Sequence, residues 1–359
     1  MVVTIFVGVC AVFFAWLTKF KNAQFGLGVS CGLIFIFLAL RYNFGNDYQA
    51  YLNGFIEINS YSGLNIFDKT INYEIGWTLL SRLFKSIGFF GMTAAIAALN
   101  SFVYYGFIKR NVPINYQWLA VFLYVFSPGL MLTQCSAMRQ SLAINIFLLS
   151  LPYLQKKRAL GFFFCIGLAS LFHASALALA PIYLIGIFNG KIRWPIRIAL
   201  ISTFILLFIY GKLLYGRIDQ IVSNNFARYQ IYVQSGGAEI ASGLGVLFLS
   251  AILILTIYYD RLQQGERAIL FKLNILNLMF VPLGLVILML GRIGMYFAPA
   301  SIIVLPIITT AFKNRIMRIA LALAIIGFTF YGYFQFVNSP VWKDSFKTYQ
   351  TILSAQEMY

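Results

Sequence analysis

Seven side chains form a candidate constellation: Arg41, Asp47, Glu74, Arg139, His173, Arg228 and Arg292, of which Arg139 and His173 fall within apolar stretches. An ionisable group at membrane depth is costly, so it persists where something uses it. Four of the seven are arginines. A planar guanidinium donates hydrogen bonds in pairs and keeps its charge, which suits it to phosphate oxygens. Four at one membrane face suit a lipid-linked phosphate or pyrophosphate. The plainer alternative is that loop arginines snorkel to headgroups or pair with Asp47, Glu74 and Asp219. It applies most to Arg41 and Arg217, and least to Arg139 and Arg292, which have little room to snorkel. His173, the only histidine, can accept a proton, donate to phosphate, or fill a polar contact between helices. Asp47 and Glu74 can act as a base or a metal ligand, or can neutralise nearby arginines. Tyr48, Tyr51, Tyr232 and Tyr296 offer rings for stacking on sugars.

Metal and nucleotide motifs are missing. Cys10, Cys31, Cys135 and Cys165 show no CxxC spacing, so neither a zinc site nor a disulfide framework is expected. Gly186 to Lys191 is one residue short of a phosphate-binding loop, and neither HExxH nor GxSxG occurs. No cofactor and no metal are expected.

The elements that must position these residues follow from composition. The chain has 359 residues, 61% hydrophobic and 10% charged, with mean hydropathy +0.82. That excludes a soluble domain and predicts an all-α polytopic membrane protein forming one integral-membrane domain. At about 20 residues per crossing, the apolar runs suggest about 11–12 transmembrane helices: 2–18, 26–40, 90–108, 117–133, 137–154, 160–172, 174–188, 198–215, 241–259, 273–290, 295–312 and 319–337. The 160–172 and 174–188 runs are short. They read as a re-entrant pair meeting at His173, or as one long helix. Gly28 and Gly32 suggest a close-packing face, and Pro282, Pro299 and Pro306 suggest kinks.

The turns at 19–21, 109–110, 156–158, 191–197, 260–272 and 313–318 hold 16 of the 27 Lys and Arg but only 2 of the 10 acids. Such turns face the cytoplasm. Both termini and the 41–89 and 216–240 segments are then outside, and all seven charged candidates face outward. The formal charge of +17 is thus a matter of topology, and no basic tail exists to hold nucleic acid. In the first outer segment, Glu74, Thr78, Ser81, Arg82 and Lys85 fall on one helical face and Ile75, Leu79, Leu83, Phe84 and Ile87 on the other. That predicts an amphipathic helix lying on the membrane.

Six motifs occur in order: RYxxGxDYxxY at 41–51, YExGWxLL at 73–80, MRQSLA at 138–143, LFHASAL at 171–177, FxRYxxY at 226–232 and GRxxxYF at 291–297. Together they resemble the EpsG family, Wzy-like polymerases of O-antigen, capsule and exopolysaccharide. Ile75 stands where that family's YEPG has proline. The resemblance implies a GT-C-like glycosyltransferase of the bacterial inner membrane, working at the periplasmic face without a metal. The donor would be a growing glycan on undecaprenyl pyrophosphate and the acceptor a lipid-linked repeat unit. A chain-length regulator is the protein partner it implies.

For such chemistry, Arg139 and Arg292 would hold the leaving pyrophosphate, with Arg228 and Arg41 as further donors. Asp47, Glu74 and His173 are the candidates for the base. Tyr48, Tyr232 and Tyr296 would meet the sugar. The rivals are an O-antigen ligase, a flippase or transporter of the lipid-linked oligosaccharide, and a membrane O-acyltransferase. Charge crowded on one side argues against transport, and the early Arg41–Asp47 block against the ligase.

Overall fold

A computed structural model describes residues 1–60, 73–187, 190–225 and 243–355. It is 81% helical, an all-α polytopic membrane protein. The helices are α1 (Val2–Leu17), α2 (Gly26–Leu40), α3 (Tyr48–Ser60), α4 (Ile75–Leu83), α5 (Phe89–Asn111), α6 (Gln117–Phe126), α7 (Met131–Ser136), α8 (Met138–Gln155), α9 (Ala159–Ser170), α10 (Tyr183–Ile187) and α11 (Trp194–Asn225). There follow α12 (Gly243–Asp260), α13 (Gly265–Val286), α14 (Leu288–Gly294), α15 (Pro299–Ala311), α16 (Arg315–Asn338), α17 (Lys343–Lys347) and α18 (Ile352–Ala355). Among the described residues six helices are long and apolar enough to cross a membrane, and five apolar helices are shorter. Two-residue strands β1 (Arg41–Tyr42) and β2 (Gln350–Thr351) pair antiparallel.

The chain forms two compact units. The first is Met1–Leu154, Arg158–Ala180 and Leu305–Tyr359; the second is Gln155–Lys157 and Pro181–Val304. In the first, the Met1 ammonium donates to the carbonyls of Phe346 and Lys347. Gly45 N–H donates to Ser345 O at 3.2 Å. The N-terminus and the 41–47 loop thus both meet the 345–347 segment. The 24 residues of α16 span about 36 Å, so Arg315 lies at the far end of this unit from Asn338 and α17.

Several expected spans are broken or displaced. The 117–133 run ends at Phe126 and restarts as α7, because Pro128 and Gly129 cannot continue a helix. The 198–215 run continues to Asn225 as one 32-residue helix. The 273–290 run breaks at Ile287, and α14 folds back on α13 with Gly291 against Gly284 and Gly294 against Phe280. Pro299 opens α15 rather than kinking it, while Pro282 and Pro306 lie inside helices. Gly28 and Gly32 face open space and form no close-packing seam; Gly26, packed on the Phe14 carbonyl, has that role.

The 160–188 region resolves in favour of the pair. Helix α9 ends at Ser170, a 3₁₀ helix follows over Ala174–Ile182, and Tyr183 Oη donates to Lys157 O at 2.8 Å. The chain returns to where it started, with His173 at the tip.

The amphipathic helix is present as α4, shorter than its pattern suggests. Gly76, Trp77, Thr78 and Ser81 are buried. Leu79, Leu83 and Ile87 are 44%, 73% and 66% exposed. The apolar face therefore points out of the protein, as it must on a helix resting on lipid.

Candidate functional site

The site grows from two tight backbone contacts. Gly76, in the first turn of α4, donates its N–H to Leu171 O at 2.8 Å. A Cβ here would sit 2.7 Å from that carbonyl, closer than packed atoms approach, so glycine is required. The contact holds the start of α4 against the tip of the α9 hairpin. It sets Glu74, the residue preceding α4, beside His173. The second contact is at Gly45, whose φ of +117° suits glycine and whose Cα packs on the Cys135 carbonyl. Asn46 N–H reaches Ser136 Oγ at 3.3 Å. The 41–47 loop therefore sits on the break between α7 and α8, two residues before Arg139.

Helix α8 is held in turn by α5. Buried Asn100 accepts from Asn145 and, at 3.2 Å, from Ser141. Beneath the site lies an aromatic core of Tyr51, Phe55, Trp77, Phe89, Met92, Met138 and Leu142, with Tyr73 and Phe172 packed on it. Tyr73, Met138 and Phe172 directly precede Glu74, Arg139 and His173 in sequence, so packing of these three fixes the positions of the charged ones.

Three of the seven expected residues come together here. Arg139 Nη1 donates to Glu74 Oε2. His173 Nδ1 stands 3.6 Å from Glu74 Oε1, just beyond hydrogen-bond reach. All three side chains are a fifth to under a third exposed. The Arg139 guanidinium carbon lies 5.3 Å from the Tyr73 ring centroid and 5.8 Å from that of Tyr51, within cation–π range. Its Nε is buried without a hydrogen-bond partner, a donor with spare capacity. Burial raises the Glu74 pKa; the interactions with His173 and Arg139 outweigh it and hold the carboxyl below its ordinary value. Glu74 is therefore ionised at neutral pH. It is a weak proton acceptor and a strong partner for cations.

Asp47 is exposed, and its carbonyl accepts from Tyr51 N–H at 3.0 Å at the start of α3. That bond sets Asp47 one helical turn before Tyr51, whose ring lies within cation–π range of Arg139.

Three of the other candidates are buried in packing. Arg41 is 2% exposed and donates to Leu38 O, closing the end of its own helix α2; it offers no open fork to a ligand. Tyr48 and Tyr296 are 0% and 1% exposed and present no free ring face to a sugar. Arg292 sits half-buried in the last turn of α14, in the second unit. Arg228 and Tyr232 lie outside the described residues. Tyr73 escaped notice in the sequence; the available signal was its place directly before Glu74.

Neither the curated proteins nor the solved structures include a match to this chain. A family model does match, over residues 27–351, nearly the full length and all six motifs. The chain belongs to the EpsG family, the family of Wzy-like exopolysaccharide and O-antigen polymerases.

Proposed function

We propose that this protein lengthens an O-antigen, capsule or exopolysaccharide chain at the periplasmic face of the bacterial inner membrane. It would move a growing glycan from undecaprenyl pyrophosphate onto a lipid-linked repeat unit. The observation that carries the reading is the Glu74–Arg139–His173 cluster, assembled from three distant motifs of the family.

The bond from sugar C1 to the pyrophosphate oxygen breaks, and the pyrophosphate leaves with the electron pair. The acceptor hydroxyl oxygen bonds to C1, and its proton passes to a base. Pyrophosphate needs charge stabilisation rather than a proton. Arg139 supplies this from a fixed position, Glu74 and the two tyrosine rings having already oriented it. Arg292 and Arg228 are proposed as further phosphate donors. His173 is proposed as the base. Its Nδ1 faces an ionised carboxylate, the arrangement that orients a catalytic imidazole and stabilises it when protonated. Asp47, exposed beside Tyr51, is the second choice.

The test is purified protein given undecaprenyl-pyrophosphate-linked repeat units. A ladder of longer lipid-linked chains is expected. Movement across a bilayer without elongation would favour a flippase, and transfer to lipid A core a ligase. Orientation is tested with single cysteines at Asn46 and Gln264 in a cysteine-free background. In intact spheroplasts an impermeant thiol reagent should label the first and spare the second.

A further inference from the structure

We propose that a cavity at the Arg315 end of the first unit binds the phosphodiester headgroup of an anionic phospholipid. The cavity measures about 620 Å³, and Trp16, Lys19, Tyr116, Trp118, Arg315 and Arg318 are among its lining residues. It joins three turns far apart in sequence: the end of α1, the α5–α6 connection and the start of α16.

Charge calls for an anion here. Lys19, Arg315 and Arg318 converge, and no acid lines the cavity among the described residues. Arg315 and Arg318 also occupy the first turn of a 24-residue helix that has no acid in that turn. A helix N-terminus is already the positive end of the backbone dipole, so two cations there are unfavourable until a negative group joins them. Asn314 Oδ1 accepts from Ile316 N–H at 2.8 Å, which satisfies one terminal amide but brings no charge. Guanidinium forks match phosphate oxygens in pairs.

The surroundings choose lipid over a free phosphate. Trp16, Tyr116 and Trp118 are the residue types that settle at headgroup level, and Lys19 Nζ lies 3.8 Å over the Trp16 ring. Below the charges, the face of α16 that carries Arg315 continues through Ile319 and Leu323, 50% and 62% exposed. A polar head with an apolar track running from it fits one occupant, a phospholipid with its acyl chains along α16. Basic pockets between membrane helices are known to hold such headgroups.

The experiment is native mass spectrometry of the full-length protein titrated with phosphatidylglycerol, and with phosphatidylcholine of the same chain length. Phosphatidylglycerol should bind saturably, and phosphatidylcholine should not. R315Q/R318Q should weaken binding about thirtyfold, with R315K/R318K retaining most of it. K343Q/K347Q removes the same charge from α17, beyond the other end of α16, and should change nothing. Equal binding of phosphatidylglycerol by the wild type and R315Q/R318Q would overturn the proposal. So would equal uptake of phosphatidylcholine, or displacement of the lipid by millimolar inorganic phosphate.

Discussion

The two ends of the first unit treat arginine in opposite ways. Near the chain termini, Arg139 is more than two-thirds covered, paired with Glu74 and flanked by two tyrosine rings. At the far end, Arg315 is exposed, Arg318 is half-exposed and the cavity they line holds no acid among the described residues. Arg41 is a third case, sealed in and spent on its own helix end. A covered arginine has its geometry fixed in advance, which is what stabilising a transition state requires. An exposed arginine retains its freedom and suits a mobile anion such as a headgroup. Company and burial, more than residue type, separate a catalytic reading from a lipid-binding one.

That contrast can be broken from several sides. The largest effect is expected at His173. His173→Gln should lower the transfer rate about a hundredfold to ten-thousandfold if the imidazole is the base. Asp47→Asn should cost far less, and the reverse ranking would move the base to Asp47.

Glu74→Gln comes next. It leaves Arg139 partly covered without its counter-charge, and the transfer rate should fall at least about tenfold, because orientation is lost. The variant also carries a stability signature. Glu74 titrates below its ordinary value of 4.5. Its ion-pair stabilisation is therefore complete above that value and is lost as pH falls through the lowered one. Thermal unfolding should show the wild type losing its advantage over Glu74→Gln in that acid window. A pH-independent difference would mean that the carboxylate charge is not what matters.

Gly76→Ala should be milder. The added methyl group crowds the Leu171 carbonyl and should cost about 1–3 kcal/mol, the usual range for overpacking, seen as a lowered Tm. An unchanged Tm would mean that α4 and the His173 hairpin are not locked together as described. The smallest effect expected is none at all. Among the described residues no three His, Cys, Asp or Glu side chains converge, and polymerisation should persist in excess EDTA. Loss restored by a divalent ion would return Asp47 and Glu74 to a metal role.

Much of this was legible in the sequence, for identifiable reasons. Arg139 and His173 interrupt apolar runs, and that cost marks them. The cationic turns mark one set of loop ends, and the 3.6-residue pattern marks α4. What the pattern could not convey was where a side chain turns. Arg41 lies in the first motif yet folds back onto Leu38. Tyr48 and Tyr296 sit beside polar residues yet are buried in packing. The breaks at 127–130 and 287 leave no mark in a hydropathy pattern, which sums over residues that interrupt a helix. Tyr73, one tyrosine among 22, is marked in the sequence only by its place directly before Glu74.

The most direct test of the central claim is single-turnover transfer by purified Arg139→Ala and Arg139→Lys, at matched protein levels and with saturating acceptor. If Arg139 stabilises the departing pyrophosphate, the alanine variant should lose about a hundredfold or more in rate. The lysine variant should stay well below wild type, because it keeps the charge and loses the fork. Full-length polymer from Arg139→Ala at the wild-type rate would contradict the account and pass the leaving group to Arg292 or Arg228.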